Sequence, residues 1–245
     1  MEPIRKAVTL AAGRGTRMQS LTDDCPKPML PLAGRPMLAH QIERLEEAGV
    51  EEVLVIVGYR ADVVYDYFRL HPPAKARLSY VAQTKQDGTG SAAKLAREFC
   101  GSDPFLLTYG DILVDAQVYR ALFQRSAGAE MTLAVKYVED PYQGGAVYTS
   151  GDRVTKIVEK PPKGTSTTNW HNAGIYVFQP SVFEHLDRLE LSPRGEYELT
   201  DAVHSIVDSG APVGWFAIEG HWRDIGRPED LPVAERFVAS ERPSS

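Results

Sequence analysis

Residues 6–18 read Lys-Ala-Val-Thr-Leu-Ala-Ala-Gly-Arg-Gly-Thr-Arg-Met. Lys6 to Ala11 is a strand-length, largely apolar run, the pattern of a strand covered on both faces. It ends in the small residues Ala11 and Ala12, then Gly13 and Gly15. Glycines so spaced let the backbone approach a ligand and present successive N–H groups, an anion cradle. A plain strand-to-loop turn has the same composition, so the continuation decides. A dinucleotide fingerprint would need glycine where Met18 stands, and a GxxxxGK phosphate loop is absent. Residues 26–38 read Pro-Lys-Pro-Met-Leu-Pro-Leu-Ala-Gly-Arg-Pro-Met-Leu. The two prolines fix the chain about Lys27 and aim one ammonium. A fixed cation beside an N–H cradle suits a triphosphate or pyrophosphate.

Outward from this turn, apolar runs alternate with helical patterns. Helices are expected at 37–48, 62–70 and 91–99, and strands at 53–57, 78–82 and 105–109. Such alternation implies a parallel sheet covered on both faces, with ligands beyond the carboxyl ends of its strands. That rule puts residues 11–18, 83–90 and Gly110-Asp111 on one rim. From residue 131 the pattern changes to strands on short turns, at 131–138, 145–148, 154–159 and 174–178. The polar loop 163–169 separates the last two. Helices are expected again at 180–189, 198–209 and 227–239, with a frayed end at 241–245. No internal repeat or low-complexity segment appears. The fold expected is α/β, a Rossmann-like mixed and mainly parallel sheet flanked by helices, with a β-rich elaboration. The 245 residues read as a single domain, with residues 1–125 as one half and 126–245 as the other.

Composition narrows the class without naming chemistry. Hydrophobic residues make up 43% and charged residues 24%, ordinary globular values. A net charge of −6 argues against nucleic acid as partner. No apolar run reaches membrane-spanning length, and the N-terminus lacks signal-peptide features, so a cytoplasmic protein is expected. Cys25 and Cys100 read as free thiols, and the six histidines have no metal-ligand or triad spacing.

The pair LAAGRGTRM and PKPMLPLAGRPML resembles the signature of the sugar-1-phosphate nucleotidylyltransferases, which make nucleotide sugars. The resemblance extends from about residue 6 to about residue 232 and is densest at 10–38. It implies a nucleotide site at Leu10, Ala11, Ala12, Gly13, Gly15 and Thr16, with Gln83, Gly88 and Thr89 at the base. A side-chain amide both donates and accepts, which suits uracil or thymine at Gln83. Asp111, at a strand's carboxyl end, and Asp224, in Trp-Arg-Asp-Ile-Gly, match the family's metal aspartates and imply Mg²⁺. Glu159, Lys160, Asn172 and Gly174 match its sugar-phosphate motifs. Glu198 is the expected acid near the sugar, with Glu196 close enough to compete for the role. An acidic first turn of a helix explains either glutamate equally well.

The activity implied is transfer of a nucleotidyl group from an NTP to a sugar 1-phosphate. The nucleophile is already an anion, so no general base or covalent intermediate is needed. Arg17, Lys27, Asp111 and Asp224 are the implied catalytic set, and Lys160 the implied holder of the sugar phosphate. UTP or dTTP is favoured. A cytidylyl- or guanylyltransferase acting on another phosphorylated sugar or alcohol is the alternative, and a non-catalytic nucleotide-sugar sensor is the alternative of another class. Relatives commonly form homo-oligomers, so one is expected here. Anionic substrates also imply a local positive pocket around Arg17, Lys27 and Lys160, masked by the acidic average.

Overall fold

The structure, a computed structural model, describes residues 3–240, so the expected frayed end lies outside the described residues. In chain order the strands of the first part are β1 (Lys6–Ala11), β2 (Pro31–Leu32), β3 (Arg35–Pro36), β4 (Glu52–Val57), β5 (Arg77–Ala82), β6 (Phe105–Tyr109) and β7 (Ile112–Val114). Those that follow are β8 (Met131–Tyr137), β9 (Gly145–Ser150), β10 (Arg153–Glu159), β11 (Trp170–Phe178), β12 (Val213–Ala217) and β13 (Trp222–Asp224). The helices are α1 (Met37–Glu47), α2 (Ala61–Leu70), α3 (Thr89–Lys94), α4 (Arg97–Cys100), α5 (Ala116–Arg125), α6 (Val182–Asp187), α7 (Leu199–Asp208) and α8 (Leu231–Ser240).

Nine strands form one sheet in the order β5-β4-β1-β6-β11-β8-β12-β10-β9. The first four are parallel, as their apolar runs predict, and β11 enters antiparallel to β6. β1 shows why the run is unbroken. Val8 and Leu10 pack into one core with α3, α6 and α7, whereas Ala7 and Ala11 pack into the other with α1, α2 and α5. Both faces are covered, so both sets of alternating side chains must be apolar. A third, smaller core joins Met18, Leu32, Leu113 and Ile225 to Ala234 and Val238 of α8. Among the described residues no helix is long and apolar enough to cross a membrane.

The structure departs from the sequence expectation in four places. The helix expected over 91–99 is divided between α3 and α4. The chain tightens at Leu95 and Ala96, whose N–H groups donate three residues back, to Ala92 and Ala93. The strand expected at 174–178 begins at Trp170. Helix α5 and strand β12 carry no signal that the sequence reading used. The pair β7 and β13 is likewise new, and it sets Asp224 opposite Ile112.

β11 changes partners at its middle. Its second half pairs with β6, while its first half lies between β8 and β9, with His171 facing both Lys136 and Ala146. The register shifts between Asn172 and Tyr176, and Gly174 sits there at φ +71°. A Cβ on Gly174 would lie 2.6 Å from Ile112 Cδ1 and 2.9 Å from Tyr109 Cδ2. The bend thus presses β11 against the chain on either side of Gly110-Asp111. Gly128 has the same φ of +71° but open space around it. Gly174→Ala should therefore cost on the order of 2–4 kcal/mol by chemical denaturation, adding contact strain to backbone strain. Gly128→Ala should cost only about 1 kcal/mol. Equal losses for the two variants would show that the bend is not packed as described.

Candidate active site

The β1 turn, the end of β5 and the end of β6 meet around a cavity of about 370 Å³. Leu10, Ala11, Ala12, Gly13, Gly15, Thr16, Arg17, Lys27, Gln83, Gly88, Thr89 and Asp111 all line it, so every residue expected on the nucleotide side is brought together. Gln83 is buried and its Nε2 donates to the Gly88 carbonyl at 2.9 Å, tying the two ends of the base loop. Gln86 donates to the Ala12 carbonyl at 3.1 Å and so joins that loop to the turn after β1. Tyr197 closes the loop from the far side. Its N–H donates to Asp87 O, and its carbonyl accepts from the Gly90 N–H, both at 2.8 Å.

Lys27 is held in a short 3₁₀ turn, Lys27–Met29, between its prolines. The turn packs closely against the phosphate turn. A Cβ on Gly15, which stands at φ +72°, would lie 2.7 Å from Lys27 Cβ. The Lys27 ammonium is buried and pairs with Asp111, Nζ to Oδ2 2.5 Å. The expected aimed cation is present, but its observed partner is a carboxylate.

Asp111 is fixed from several sides through its neighbours' backbone. The Gly110 N–H donates to Leu10 O at 2.9 Å. Gln41 of α1, wholly buried, donates through Nε2 to Tyr109 O (2.8 Å) and Ile112 O (2.9 Å). The Ile225 N–H donates to Asp111 O at 3.0 Å. That bond and the β7–β13 pairing bring Asp224 beside Asp111, although 113 positions separate them in the chain. After Asp224 the chain is turned by Asp230, whose Oδ2 accepts from the N–H groups of Gly226 and Arg227.

Asp224 reaches solvent within the cleft, yet protein crowds it from the sides. Loss of hydration, and then the Asp111 charge, push its pKa up to about 6, against the opposing pull of Lys27 and Arg17. Two carboxylates that repel one another at the mouth of a phosphate-sized cavity are a fitting donor set for Mg²⁺, which takes one or two protein carboxylates and completes its shell with phosphates and water. Among the described residues there is no cluster of three or more His, Cys, Asp and Glu that would make a self-sufficient metal cage.

A second cavity, of about 360 Å³, lies on the other side of these aspartates. Glu159, Asn172, Gly174, Glu198 and Asp224 line it, as expected for the sugar side. Asn172 also closes the β11 bend, since its Oδ1 accepts from Gly174 N–H (3.1 Å) and its Nδ2 donates to Tyr176 OH (2.8 Å). The two glutamates separate by position. Glu196 lines the first cavity and Glu198 the second, with Glu198 buried and paired to Arg194 at 2.6 Å.

Lys160 is the exception. It lines neither cavity, its side chain is half exposed, and its ammonium stands 3.8 Å from Glu159. The backbone explains the placement. Lys160 sits at φ +43° where β10 ends, with its N–H on Gly144 O at 2.9 Å. The expected grouping of Arg17, Lys27 and Lys160 is formed only in part: Arg14, Arg17 and Lys27 line the first cavity, with Asp111 and Glu196 as its carboxylates. Lys27 is matched by Asp111, Lys160 is outside, and the second cavity holds more carboxylates than cations.

Arg17, Thr89, Tyr109 and Asp111 belong to the walls of both cavities, so the two meet there. Sequence reasoning did not single out Tyr109, Arg194 or Gln41. Tyr109 directly precedes Gly110-Asp111 and was legible as a neighbour of the site. Arg194 lies in the same loop as the two glutamates. Gln41 looks like any polar position of a helix.

The nucleotidyl transferase family model matches residues 6–241. The chain is 38% identical over 236 residues to the bifunctional protein GlmU of Methanococcus maripaludis, covering 96% of this chain and 54% of that protein. It thus spans about half the length of these relatives. It is 32% identical over 244 residues to AglF of Haloferax volcanii, a UTP–glucose-1-phosphate uridylyltransferase, covering 96% of this chain and 97% of that one. A UDP-glucose pyrophosphorylase solved with UDP-glucose superposes with a TM-score of 0.86, at 24% identity, over 98% of this chain and 100% of that one. The UTP-bound enzyme of Acinetobacter baumannii superposes with a TM-score of 0.81, at 23% identity, over 98% and 95%. These two share the mixed α/β fold expected from the strand and helix pattern. With the family model covering all but its ends, the chain belongs to the nucleotidyl transferase family.

Proposed function

We infer that the protein transfers a nucleotidyl group from an NTP to a sugar 1-phosphate, giving an NDP-sugar and pyrophosphate. The observation that carries this reading is the meeting of two polar cavities at Arg17, Thr89, Tyr109 and Asp111. A triphosphate in the first cavity and a sugar phosphate in the second would place their reacting groups at that junction. The acceptor oxygen attacks the α-phosphorus in line, the bond to the β-phosphate oxygen breaks, and pyrophosphate leaves. Positioning and charge stabilisation do most of the work in such a transfer.

The placement of the residues supports the following roles. The N–H groups of Gly13 and Gly15 and the Thr16 hydroxyl hold the triphosphate. Arg17 faces both cavities and stabilises the charge that develops on the leaving group. Lys27 orients Asp111 and compensates its charge. Asp111 and Asp224 would hold Mg²⁺, which when bound supplies charge neutralisation to the phosphates. Glu159 and Glu198 accept from sugar hydroxyls; Lys160, which lines neither cavity, is given no role. Gln83 keeps its amide carbonyl and a second N–H for a pyrimidine edge, which supports UTP or dTTP. The uridylyltransferase named among the relatives, matched over nearly its full length, supports UTP. One site drawing on residues 10 to 224 supports a single domain.

The decisive assay is pyrophosphate release from a panel of NTPs and sugar 1-phosphates with Mg²⁺. Release with UTP or dTTP and at least one sugar 1-phosphate is expected. Nucleotide binding without release from any pair would favour a sensor. Lys27→Ala and Asp111→Asn should each lower turnover on the order of 10²-fold or more in a folded protein. Near-parental rates for either would remove the pair from the mechanism. Chelation of divalent metal should abolish turnover and Mg²⁺ should restore it.

Asp224→Asn separates function from stability. A folded-state pKa of about 6, above the ordinary carboxyl value, means that the ionised form costs stability. That cost is present in full above about pH 6 and fades as the pH falls through 6 towards 4. Asp224→Asn should therefore raise the thermal midpoint at pH 8 while lowering turnover. Discounted for solvent access, the gain is about 1 kcal/mol, roughly 2–4 °C. The advantage should vanish near pH 4. A lower midpoint at pH 8 would show that the two carboxylates do not oppose each other.

A further inference from the structure

The acceptor cavity contains a side chain that none of the roles above uses. His171 lies on the first half of β11, with its backbone fixed between Lys136 of β8 and Ala146 of β9. Its ring lines the cavity and meets the Trp222 ring edge-on, at 5.6 Å between centroids. The ring can lie there because residue 144 is glycine. A Cβ on Gly144 would stand 2.3 Å from His171 Cε1 and 3.1 Å from Nε2. Gly144 therefore acts as a seat for the imidazole.

Three of the other five histidines use their rings to hold the protein together. His40 bonds the Leu32 carbonyl, His71 the Tyr67 carbonyl and His185 the Ser205 hydroxyl. His171 has no such bond among the described residues, and its nitrogens are not among the fully buried polar atoms left without partners. The next glycine, Gly145, has Glu159 as its neighbour, 3.5 Å from a Cβ position to Oε2. Two adjacent bare backbone positions thus carry an imidazole on one and a carboxylate on the other. Burial lowers the His171 pKa below its ordinary value, which keeps the ring neutral at physiological pH. A neutral imidazole donates through one nitrogen and accepts through the other, whereas a carboxylate only accepts.

We propose that His171, seated on Gly144, is a specificity-determining residue of the acceptor site, and that it reads one hydroxyl of a neutral hexose 1-phosphate next to the hydroxyl taken by Glu159. This inference rests on the transferase reading of the site. A carboxylated sugar is disfavoured there, since Glu159 would repel it.

The test compares the parent with His171→Phe, His171→Gln and Gly144→Ala. The Phe variant keeps an aromatic ring against Trp222 and removes both nitrogens, the Gln variant keeps an amide donor and acceptor, and the Ala variant displaces the ring. KM and kcat are measured with glucose, galactose and mannose 1-phosphates and with monodeoxy analogues of the best of them. Affinity for the NTP alone is measured by calorimetry as a control for folding. His171→Phe is expected to raise the acceptor KM roughly 10- to 100-fold, with kcat and NTP affinity little changed. It should also lose discrimination against one deoxy analogue, the one lacking the hydroxyl that His171 reads. His171→Gln should recover part of both effects, and Gly144→Ala should reproduce the KM defect. Unchanged KM and unchanged deoxy discrimination in His171→Phe would overturn the proposal while leaving the transferase reading intact. A parent that releases no pyrophosphate with any acceptor would overturn the transferase reading itself, and this inference with it.

Discussion

The site depends on one short backbone pairing, β7 with β13. Three residues on each side place Asp224 opposite Ile112 and hence beside Asp111. The pairing sets Asp111, in the walls of both cavities, beside Asp224, in the wall of the second. The pairing is too short to stand by itself and is held by its surroundings. Gln41 fixes the carbonyls of Tyr109 and Ile112 from the helix side. Leu113 of β7 and Ile225, the residue after β13, are buried with α8 in the third core. Trp222 donates through its indole N–H to the Ala173 carbonyl at 3.0 Å and ties the pair to the bend of β11. The C-terminal helix, far from the phosphate turn in sequence, thus supports both Met18 behind that turn and Ile225 next to Asp224.

Charge explains why so much structure converges here. The substrates proposed are polyanions and the protein carries −6 overall. A simple electrostatic design would collect free cations, and the sequence suggested that arrangement. In the structure Lys27 is engaged with Asp111, Arg194 with Glu198, and Asp224 is crowded and unneutralised. The excess of carboxylates in the second cavity makes sense if a divalent cation is part of the working site, because the metal then adds positive charge there. Arg17 is the cation that lines both cavities.

The sequence was informative where chemistry depends on local pattern. The parallel strands were legible because burial on both faces demands unbroken apolar runs. The β1 turn and the Lys27 strap were legible through their pairing in the family resemblance, since a plain strand-to-loop turn has the same small residues. It was less informative where function depends on long-range pairing. β12 and the β7–β13 pair are short, and their identity as strands comes from partners distant in the chain. Lys160 illustrates the same limit in reverse. Its motif matches the family's phosphate-binding lysine, but the turn at the end of β10 carries its side chain away from the cavity wall. His171 reads in sequence as an isolated histidine, and only the contact with Gly144 gives it a place in the site.

The central claim is that donor and acceptor meet at one junction and react directly, without a covalent intermediate on the protein. The most direct measurement is the stereochemical course at the α-phosphorus, using an NTP made chiral there by sulfur substitution. A single in-line displacement predicts inversion of configuration in the NDP-sugar. Retention would require two displacements, and therefore a nucleotidylated residue, and would contradict the account.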